Sequence, residues 1–514
     1  MAYLLGIDIG TTGARALLVN ERGTVVAGAT EEYPLYTPQP LWAEQDPHDW
    51  WQATINSVRR VLSIAGIGQD EIKGVGLTGQ MHGVVLLDDK YEVLRPSLIW
   101  CDQRSQAQCD WITARVGAAR LIELTCNPAL TGFSAPKLLW VRDNEPAVFS
   151  KARKFLLPKD YIRFKLTGEF ASEVSDASGT SLFDVRNRRW SDEVLHDLGI
   201  DRSMLPEVHE SPMVSGRVNS EAARLTGLPA GIPVVGGGGD QAAGAVGNGV
   251  VEPGIVSSTI GSSGVVFAFT EQPSLDPQGR MQTFCHAVPG KWHVMGVTQG
   301  AGLSLRWFRD HCGGPEMLVG MVAGIDPYEL LTKEAAQAEP GCEGLLFLPY
   351  LMGERAPHLD PNAKGVFFGL TGRHGRAHVV RAILEGVAYS LRDSMEIIQK
   401  EMRIPVTQVR ASGGGGRSAL WRQIQADIFQ TEIVTINSTE GPAYGAALLA
   451  AVGAGFYGSV EEACHAAIRI VERTEPIAEN MSLYEEYYGI YRDLYPALKP
   501  SFDKVTDIVT QHAR

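Results

Sequence analysis

The sequence predicts an α/β protein made of two related halves that face each other across a cleft. The first observation is a repeated pattern of an apolar strand, a glycine–hydroxyl turn and a second apolar strand. The turn is IGTTG at 9–13 and IGSSG at 260–264, 251 residues later. Strands that alternate with helical segments are the second observation, typical of layered α/β domains. The third is the length, since 514 residues exceed what one hydrophobic core supports.

The composition is that of a globular protein with an acidic surface. Apolar residues form 44% of the chain. The net charge of −13 disfavours nucleic acid as the main partner, because phosphate backbones attract basic patches. Seven cysteines without a Cys-x-x-Cys pair predict neither a zinc site nor a disulfide framework. The sequence shows no secretory pattern and no apolar run long enough for a bilayer, so we expect a cytoplasmic protein without a membrane partner.

The N-terminal half predicts a meander of three strands and then alternating elements. A helix over 47–65 is indicated by Asp46 as N-cap and by Pro47 at the first helical position. We interpret the more helical stretch from about 104 to 230 as an insertion that caps the first domain. The predicted boundary at residue 247 gives domains 1–247 and 248–514. Strands are predicted at 4–9, 14–19, 24–29, 74–78, 84–88 and 232–235.

The C-terminal half repeats this order and contains a second glycine cluster. A long helix is predicted near 376–402 and a strand at 408–411, which leads into four glycines at 413–416. Such a cluster before a helix offers bare backbone to a purine or ribose and free N–H groups at the helix start. It matches neither a dinucleotide-binding nor a P-loop pattern. A tight strand-to-helix turn is an equal alternative until the two hairpins are considered.

A run of four glycines precedes an acidic residue near the middle of the chain. Residues 236–239 are expected to end the strand at 232–235 and to let the backbone pass close to another group. They leave the Asp240 carboxylate uncrowded. An attacking hydroxyl must lose its proton, so a positioned carboxylate can act as base. A surface turn capped by aspartate is the alternative, and the glycine run between buried segments favours the base.

Asp8 lies inside an otherwise apolar predicted strand, just before the first turn. A buried carboxylate must be paired, hydrated or bound to a metal. Turns of this kind present N–H groups and hydroxyls to phosphate, and a carboxylate beside phosphate repels it unless a cation lies between them. The second copy has Thr259 at this position. Asp8 therefore indicates Mg²⁺, and an edge position facing solvent is the alternative.

Two loops of the first half are candidates for sugar contact. GQMHG at 79–83 lies between two predicted strands, where histidine and glutamine could bind hydroxyls. WCDQR at 100–104 ends another strand with a carboxylate and a guanidinium. A structural histidine and a simple ion pair are the alternatives for these two segments.

Together, these motifs resemble the FGGY family of carbohydrate kinases, and the resemblance extends from Gly6 to about Gly455. It implies the two-domain actin-like ATPase (ribonuclease H-like) fold, with duplicated mixed-sheet halves around a central cleft. It also implies ATP and Mg²⁺, with the sugar on the N-terminal domain and the nucleotide on the C-terminal domain. The matching motifs are GIDIGTT at 6–12, GGDQ at 238–241, FLPYL at 347–351, GERAP at 353–357, GVFFGL at 365–370 and the glycines at 413–416.

Four segments resemble the branch of this family that acts on ketopentoses. They are the loops at 79–83 and 100–104, LPKDY at 157–161 and DASGT at 176–180. By resemblance, Asp240 is the catalytic base, Asp8 assists catalysis, and both are implied as metal ligands. The implied sugar-binding residues are Gln80, Met81, His82, Arg104, Asp240 and Gln241. The implied nucleotide-binding residues are Thr11, Thr12, Ser262, Trp307, Gly413, Gly414 and Ser418.

The expected reaction is transfer of a phosphoryl group from ATP to the terminal hydroxyl of a sugar, with a homodimer as the candidate assembly. Three alternatives remain open. The acceptor could be another sugar or polyol, such as L-ribulose, L-xylulose, gluconate, glycerol or erythritol. The chain could instead be an actin-like ATP-driven conformational protein, or a binding module without turnover.

Overall fold

The computed structural model describes residues 2–512. The chain forms two compact units, and each contains segments that are distant in sequence. The first unit comprises Met1–Glu252, Phe269–His293 and Glu440–Arg469. The second comprises Pro253–Ala268, Val294–Thr439 and Ile470–Arg514.

The strands are short, and most are buried. Those before residue 253 are β1 (Tyr3–Ile9), β2 (Gly13–Asn20), β3 (Val25–Glu32), β4 (Glu44–Gln45), β5 (Ile72–Gly79), β6 (Val85–Leu87), β7 (Ser97–Leu98), β8 (Lys154–Leu156), β9 (Ala171–Glu173), β10 (Phe183–Asp184), β11 (Arg189–Trp190), β12 (Glu207–His209), β13 (Val214–Arg217), β14 (Pro233–Val235) and β15 (Gly238–Gly239). The later ones are β16 (Gly254–Ile260), β17 (Gly264–Thr270), β18 (Gln282–Cys285), β19 (Trp292–Thr298), β20 (Leu346–Leu348), β21 (Val366–Phe368), β22 (Val406–Ser412), β23 (Ile433–Ile436) and β24 (Ile470–Thr474).

The helices range from single turns to one long C-terminal helix. Those before residue 253 are α1 (Pro47–Ala65), α2 (Gln106–Val116), α3 (Ala118–Thr125), α4 (Ser134–Asn144), α5 (Pro146–Phe149), α6 (Pro158–Thr167), α7 (Val174–Ala177), α8 (Asp192–Leu198), α9 (Ser220–Thr226) and α10 (Asp240–Gly247). The later ones are α11 (Gly302–Cys312), α12 (Gly314–Ala323), α13 (Pro327–Ala335), α14 (Arg376–Glu396), α15 (Gly413–Arg417), α16 (Ala419–Phe429), α17 (Gly441–Gly453), α18 (Val460–Ala467) and α19 (Ala478–His512). Among the described residues, no helix has both the length and the apolarity needed to cross a membrane.

The sheet of the first unit is mixed. Its order is β13-β14-β5-β1-β2-β3, and β15 also pairs with β5. The β1–β2 and β2–β3 pairs are antiparallel, whereas β1–β5 and β5–β14 are parallel. The apolar side chains of β1 are buried on both faces, as expected for a central strand covered on both sides.

The second sheet repeats this arrangement. Its order includes β19-β17-β16-β22-β23-β24. The β16–β17 hairpin is antiparallel, β16–β22 and β22–β23 are parallel, and β23–β24 is antiparallel. The first sheet has the same order of a hairpin, two parallel strands and an antiparallel strand. Its hairpin is β1–β2, its parallel strands are β5 and β14, and its antiparallel strand is β13. The duplicated α/β fold with mixed sheets predicted from the two turns is confirmed.

Helix α17 lies closely against the first sheet because the sheet has glycines at the points of contact. A Cβ added to Gly6 would lie 1.9 Å from the carbonyl oxygen of Ala443. A Cβ added to Gly76 would lie 1.9 Å from the carbonyl oxygen of Ala446. These contacts hold β1 and β5 side by side beneath a small-residue helix, and both strands end at the candidate site.

Most predicted elements are present, and the differences have local causes. Helix α1 has the predicted bounds, and the Asp46 side chain caps it by accepting the N–H of His48 at 2.9 Å. The prediction that the glycine run cannot continue a strand was wrong for its last two members. Gly237 turns the chain at a φ of 72°, after which Gly238 and Gly239 pair with β5. The cluster at 413–416 is helical and forms α15.

Candidate active site

The ends of three parallel strands bring the two predicted aspartates to one edge of the first sheet. Strand β5 lies between β1 and β15, so that Thr78 is the register partner of both Asp8 and Gly238. Gly79 is likewise the partner of Gly239, the residue before Asp240. Adjacent strands are about 4.8 Å apart, which puts the two backbone segments about 10 Å apart. The charge of Asp240 still acts on Asp8 and raises its pKa.

Ionisation of either carboxyl group is unfavourable in the protein when no cation is bound. Burial and the charge of Asp240 together raise the pKa of Asp8 to about 7, against the opposing charge of Arg15. Burial also raises the pKa of Asp240 to about 6, against the effect of hydrogen bonding from Gln241, whose N–H donates to Oδ1 at 2.8 Å. Asp8 Oδ1 is buried and has no hydrogen-bond partner among the described residues. Each carboxyl group is therefore stabilised by taking up a proton or by a nearby cation.

These two residues fit a divalent cation that completes its coordination with phosphate and water. Among residues 2–512, no group of three or more His, Cys, Asp or Glu side chains could hold a metal. Mg²⁺ is usually bound through only one or two carboxylates, together with substrate phosphates and waters. At the second hairpin, Thr259 Oγ1 lies 2.7 Å from Ser412 Oγ and has no charge. Only the first hairpin of the two therefore presents a carboxylate to a cation.

The loop with Met81 and His82 lies directly against the glycine that precedes Asp240. A Cβ added to Gly239 would lie 2.9 Å from Met81 Cγ, so only glycine allows this approach. His82 Nδ1 lies 2.7 Å from the carbonyl oxygen of Gly179 and donates to it, since a carbonyl only accepts. The His82 ring is stacked on Phe133 with 4.5 Å between centroids. The structure thus groups three predicted site residues in one place.

A buried glutamine, Gln45, connects the loop at 79–83 with the turn at 9–13. Gln80 Nε2 donates to Gln45 Oε1 at 2.8 Å, and Gln45 Nε2 donates to the carbonyl oxygen of Thr11 at 2.7 Å. Trp100 Nε1 donates to Thr11 Oγ1 at 2.9 Å, while Thr12 is exposed. Sequence reasoning missed Gln45, because nothing in its local sequence distinguishes it from a surface glutamine.

Arg104 is enclosed within the protein. Its side chain is 1% exposed and forms ion pairs with Asp102 at 2.7 Å and with Glu44 at 2.8 Å. The guanidinium carbon lies 3.6 Å from the centre of the Trp42 ring. The charge of Arg104 is therefore matched by protein groups, and its contacts are those of a residue that holds the loop at 100–104 in place.

The second unit contains a cavity of about 750 Å³, a size that suits a nucleoside. Ser262, Gly414 and Ser418 from the predicted nucleotide-binding set are on its wall. Its lining consists of Ile260, Gly261, Ser262, Gly302, Leu305, Arg306, Arg309, Asp326, Tyr328, Glu329, Thr332, Gly414, Gly415, Arg417, Ser418 and Trp421.

Hydrogen bonds to the start of α11 hold the second turn in shape. The N–H groups of Gly302 and Leu303 donate to the carbonyl oxygens of Gly261 and Ser262 at 2.9 and 3.0 Å. Ile260 also forms a bridge with Gly413, which has a φ of 71°. The second glycine cluster and the second turn are therefore parts of one wall.

Other residues of this cavity had no recognisable signal in the sequence. Arg309 lies over the Tyr328 ring, with 4.8 Å between the guanidinium carbon and the ring centre. Both line the cavity, and neither belongs to a motif. The predicted nucleotide-binding residue Trp307 lies on α11 with Arg309, but it is not part of the lining. Its ring lies beside His311, with 6.3 Å between the ring centres.

Comparison with known proteins agrees with this architecture. The model of the FGGY family of carbohydrate kinases, N-terminal domain, matches residues 3–247, and that of the C-terminal domain matches residues 256–454. A xylulose kinase of Escherichia coli (strain K12) is 41% identical, over 96% of this chain and 99% of its own. A gluconokinase of Bacillus subtilis (strain 168) is 33% identical, over 98% of both. The crystal structure of xylulose kinase from Rhodospirillum rubrum is 33% identical with a TM-score of 0.88, over 98% of this chain and all of that one.

The chain belongs to the FGGY family of carbohydrate kinases. Membership makes it a phosphotransferase that uses ATP and a sugar-type acceptor, and a divalent metal is typical of such kinases. The resemblance identified from the motifs is confirmed.

Proposed function

We propose that the protein transfers the γ-phosphoryl group of ATP to the terminal hydroxyl of D-xylulose, forming D-xylulose 5-phosphate in pentose catabolism. The observation that supports this most is the grouping of Asp240 with Met81 and His82 at the strand edge that also holds Asp8. The choice of sugar is supported by relatives named xylulose kinase that match nearly the whole chain. Cytoplasmic location and assembly as a homodimer remain proposals.

Asp240 is proposed as the base. With a pKa of about 6, its carboxylate is ionised at neutral pH and is more basic than an ordinary aspartate. One carboxylate oxygen accepts the proton of the C5 hydroxyl. The hydroxyl oxygen forms its bond to the γ-phosphorus while the bond from that phosphorus to the β-phosphate oxygen breaks, and ADP leaves. Met81 supplies an apolar wall, and His82, Gln80 and Gln241 are proposed to bind the remaining hydroxyls and the ketone. Arg104 is proposed to act through the loop that it holds.

Asp8 and Asp240 are proposed to hold Mg²⁺, which when bound neutralises charge on the phosphates. The exposed Thr12 and the neighbouring Thr11 are proposed to donate to phosphate oxygens from the first turn. In the second unit, Ser262 is proposed to do the same. The functional division that we propose follows the predicted boundary at residue 247, with the sugar assigned to the N-terminal part.

The nucleoside is proposed to lie in the cavity of the second unit. Gly414 offers bare backbone to the cavity, and Gly413 is proposed to contribute from the adjacent turn. Ser418 is the N-cap of α16, and its hydroxyl oxygen accepts the N–H of Trp421 at 3.3 Å. Trp307 is proposed to contribute indirectly, from the helix whose neighbouring residues line the cavity.

The test is a coupled assay of ADP release with D-xylulose, L-ribulose, L-xylulose, gluconate, glycerol and erythritol. The proposal expects the highest kcat/KM with D-xylulose. Asp240→Asn should lower kcat roughly 10²- to 10⁴-fold, because an amide cannot accept the proton. The exposed Asp89→Asn variant serves as the control. A preference for gluconate would change the assigned substrate and leave the role of Asp240 as base intact. Near-normal turnover of Asp240→Asn would refute the assignment of Asp240 as the base.

A further inference from the structure

Five fully buried charged side chains form one cluster in the first unit. Lys159 Nζ lies 2.7 Å from Asp160, 3.2 Å from Asp176 and 3.6 Å from Glu173. Arg163 lies 3.6 Å from Asp160. Burial and the neighbouring carboxylates raise the pKa of Asp176 well above its ordinary value, although Lys159 opposes the shift. The cluster therefore combines two cationic side chains with three carboxyl groups.

The cluster holds the glycine run before Asp240 at both ends. At the upstream end, the Arg163 guanidinium donates to the carbonyl oxygens of Val235 at 2.6 Å and Gly236 at 2.5 Å. At the downstream end, Ser175 Oγ accepts the N–H of Gly239 at 3.0 Å. A glycine backbone has no side chain to lock its conformation, so these hydrogen bonds replace the packing that would otherwise fix it.

Ser175 is the link between the charges and this backbone. Its hydroxyl donates to Glu173 Oε1 at 2.8 Å, which leaves the oxygen lone pairs directed to the N–H of Gly239. Glu173 also accepts the N–H groups of Ser175 and Asp176, both at 2.7 Å, and so fixes the turn that begins α7. The same segment continues to Gly179, which receives the hydrogen bond from His82.

The cost of burying these groups indicates a role beyond stability. A buried ion-pair network is often no more stabilising than apolar residues of the same volume. A network of directional hydrogen bonds, in contrast, fixes atoms to within a few tenths of an ångström, which active sites require. In this protein, both ends of the network meet the backbone that presents Asp240.

We propose that Ser175 is a positioning residue for phosphoryl transfer. The buried cluster holds the Ser175 hydroxyl, and this hydroxyl holds Asp240 in place by accepting the N–H of Gly239. The proposal rests on the proposed role of Asp240 as base. Without the hydroxyl, the peptide at Gly239 loses its acceptor, and the carboxylate at the next residue is no longer held in the productive place. Misplacement of a reacting group by about 1 Å can cost 10²-fold in rate.

The experiment compares Ser175→Ala with Ser172→Ala in otherwise native protein. Ser172 is a matched control, because it is buried on the neighbouring strand and its hydroxyl has no hydrogen-bond partner among the described residues. Ser175→Ala should lower kcat for D-xylulose roughly 10-fold with the KM for the sugar changed less than about twofold. Ser172→Ala should leave both constants unchanged, and Ser175→Thr, which retains a hydroxyl, should recover part of the lost rate.

A double-variant cycle separates positioning from general destabilisation. If Ser175 acts through Asp240, the Ser175→Ala change should have no further effect on the residual rate of Asp240→Asn. Wild-type kcat in Ser175→Ala, or an equal loss in both backgrounds, would overturn the proposal. Failure of the proposed function is distinct, since it would appear as a wild-type protein inactive on D-xylulose or as an active Asp240→Asn variant.

Discussion

Replacing Asp8 by asparagine should stabilise the metal-free protein above neutral pH, although it removes a site residue. Burial raises the pKa of Asp8 from 3.8 to about 7. The folded state therefore holds a proton that the unfolded chain has lost, so this group makes stability fall as pH rises from about 4 to about 7. Above pH 7, the ionised carboxylate is present in both states and the loss is complete. An amide titrates in neither state, so the Asp8→Asn variant does not lose this stability.

The size of the effect follows from the shift. One pKa unit corresponds to 1.36 kcal/mol, which gives a ceiling of about 4 kcal/mol for Asp8. The side chain is only half-buried, so solvent screening lowers our expectation to about 2 kcal/mol. The first unit has roughly 300 residues, for which the entropy of unfolding is about 0.6 kcal/mol per kelvin. The expected rise in the Tm of this unit at pH 8 is therefore about 3 °C.

Differential scanning calorimetry at pH 5 and pH 8, with a chelator present, measures this difference. The Tm of Asp8→Asn should exceed that of the wild type by about 3 °C at pH 8. At pH 5 the difference should be roughly a third of that, because the wild type has lost only part of the stability that ionisation of Asp8 removes. Added Mg²⁺ should raise the Tm of the wild type and not that of the variant. The exposed Asp89→Asn is the control. A variant less stable than the wild type at pH 8 would refute the reasoning that the ionised Asp8 carboxylate destabilises the metal-free fold.

Three further outcomes test the site. The acid limb of kcat/KM should lie near pH 6, with activity lost as Asp240 is protonated, and higher Mg²⁺ should move it to lower pH. His82→Ala should lower kcat/KM for D-xylulose roughly 10- to 100-fold through KM, leaving ATP affinity unchanged; unaltered xylulose kinetics would make His82 structural. Gln45→Ala should weaken sugar and ATP use together, since its side chain bonds both Gln80 and Thr11, and a loss confined to one substrate would contradict that link.

The hairpins, helix α1 and the order of elements could be predicted because their signals are local. Apolar runs on either side of a short turn of glycine and hydroxyl residues indicate a hairpin from local sequence alone. Asp46 and Pro47 likewise specify the start of α1 within one turn. The two-residue strand at Gly238 could not be predicted in this way. Its backbone pairs with β5 only because the rest of the sheet brings β5 to it, and glycine has no intrinsic preference for a strand.

The sequence by itself determined which residue types are available at the site, and it did so through motifs in which chemistry and spacing coincide. Asp8 beside a glycine–threonine turn and Asp240 after a glycine run are both visible in the linear chain. Only the tertiary structure decided which distant residues lie beside the segments that the motifs mark. Gln45, Ser175 and Tyr328 reach their places through hydrogen bonds or packing between distant segments. Such contacts depend on register and helix position, which are properties of the whole folded chain, so no local pattern records them.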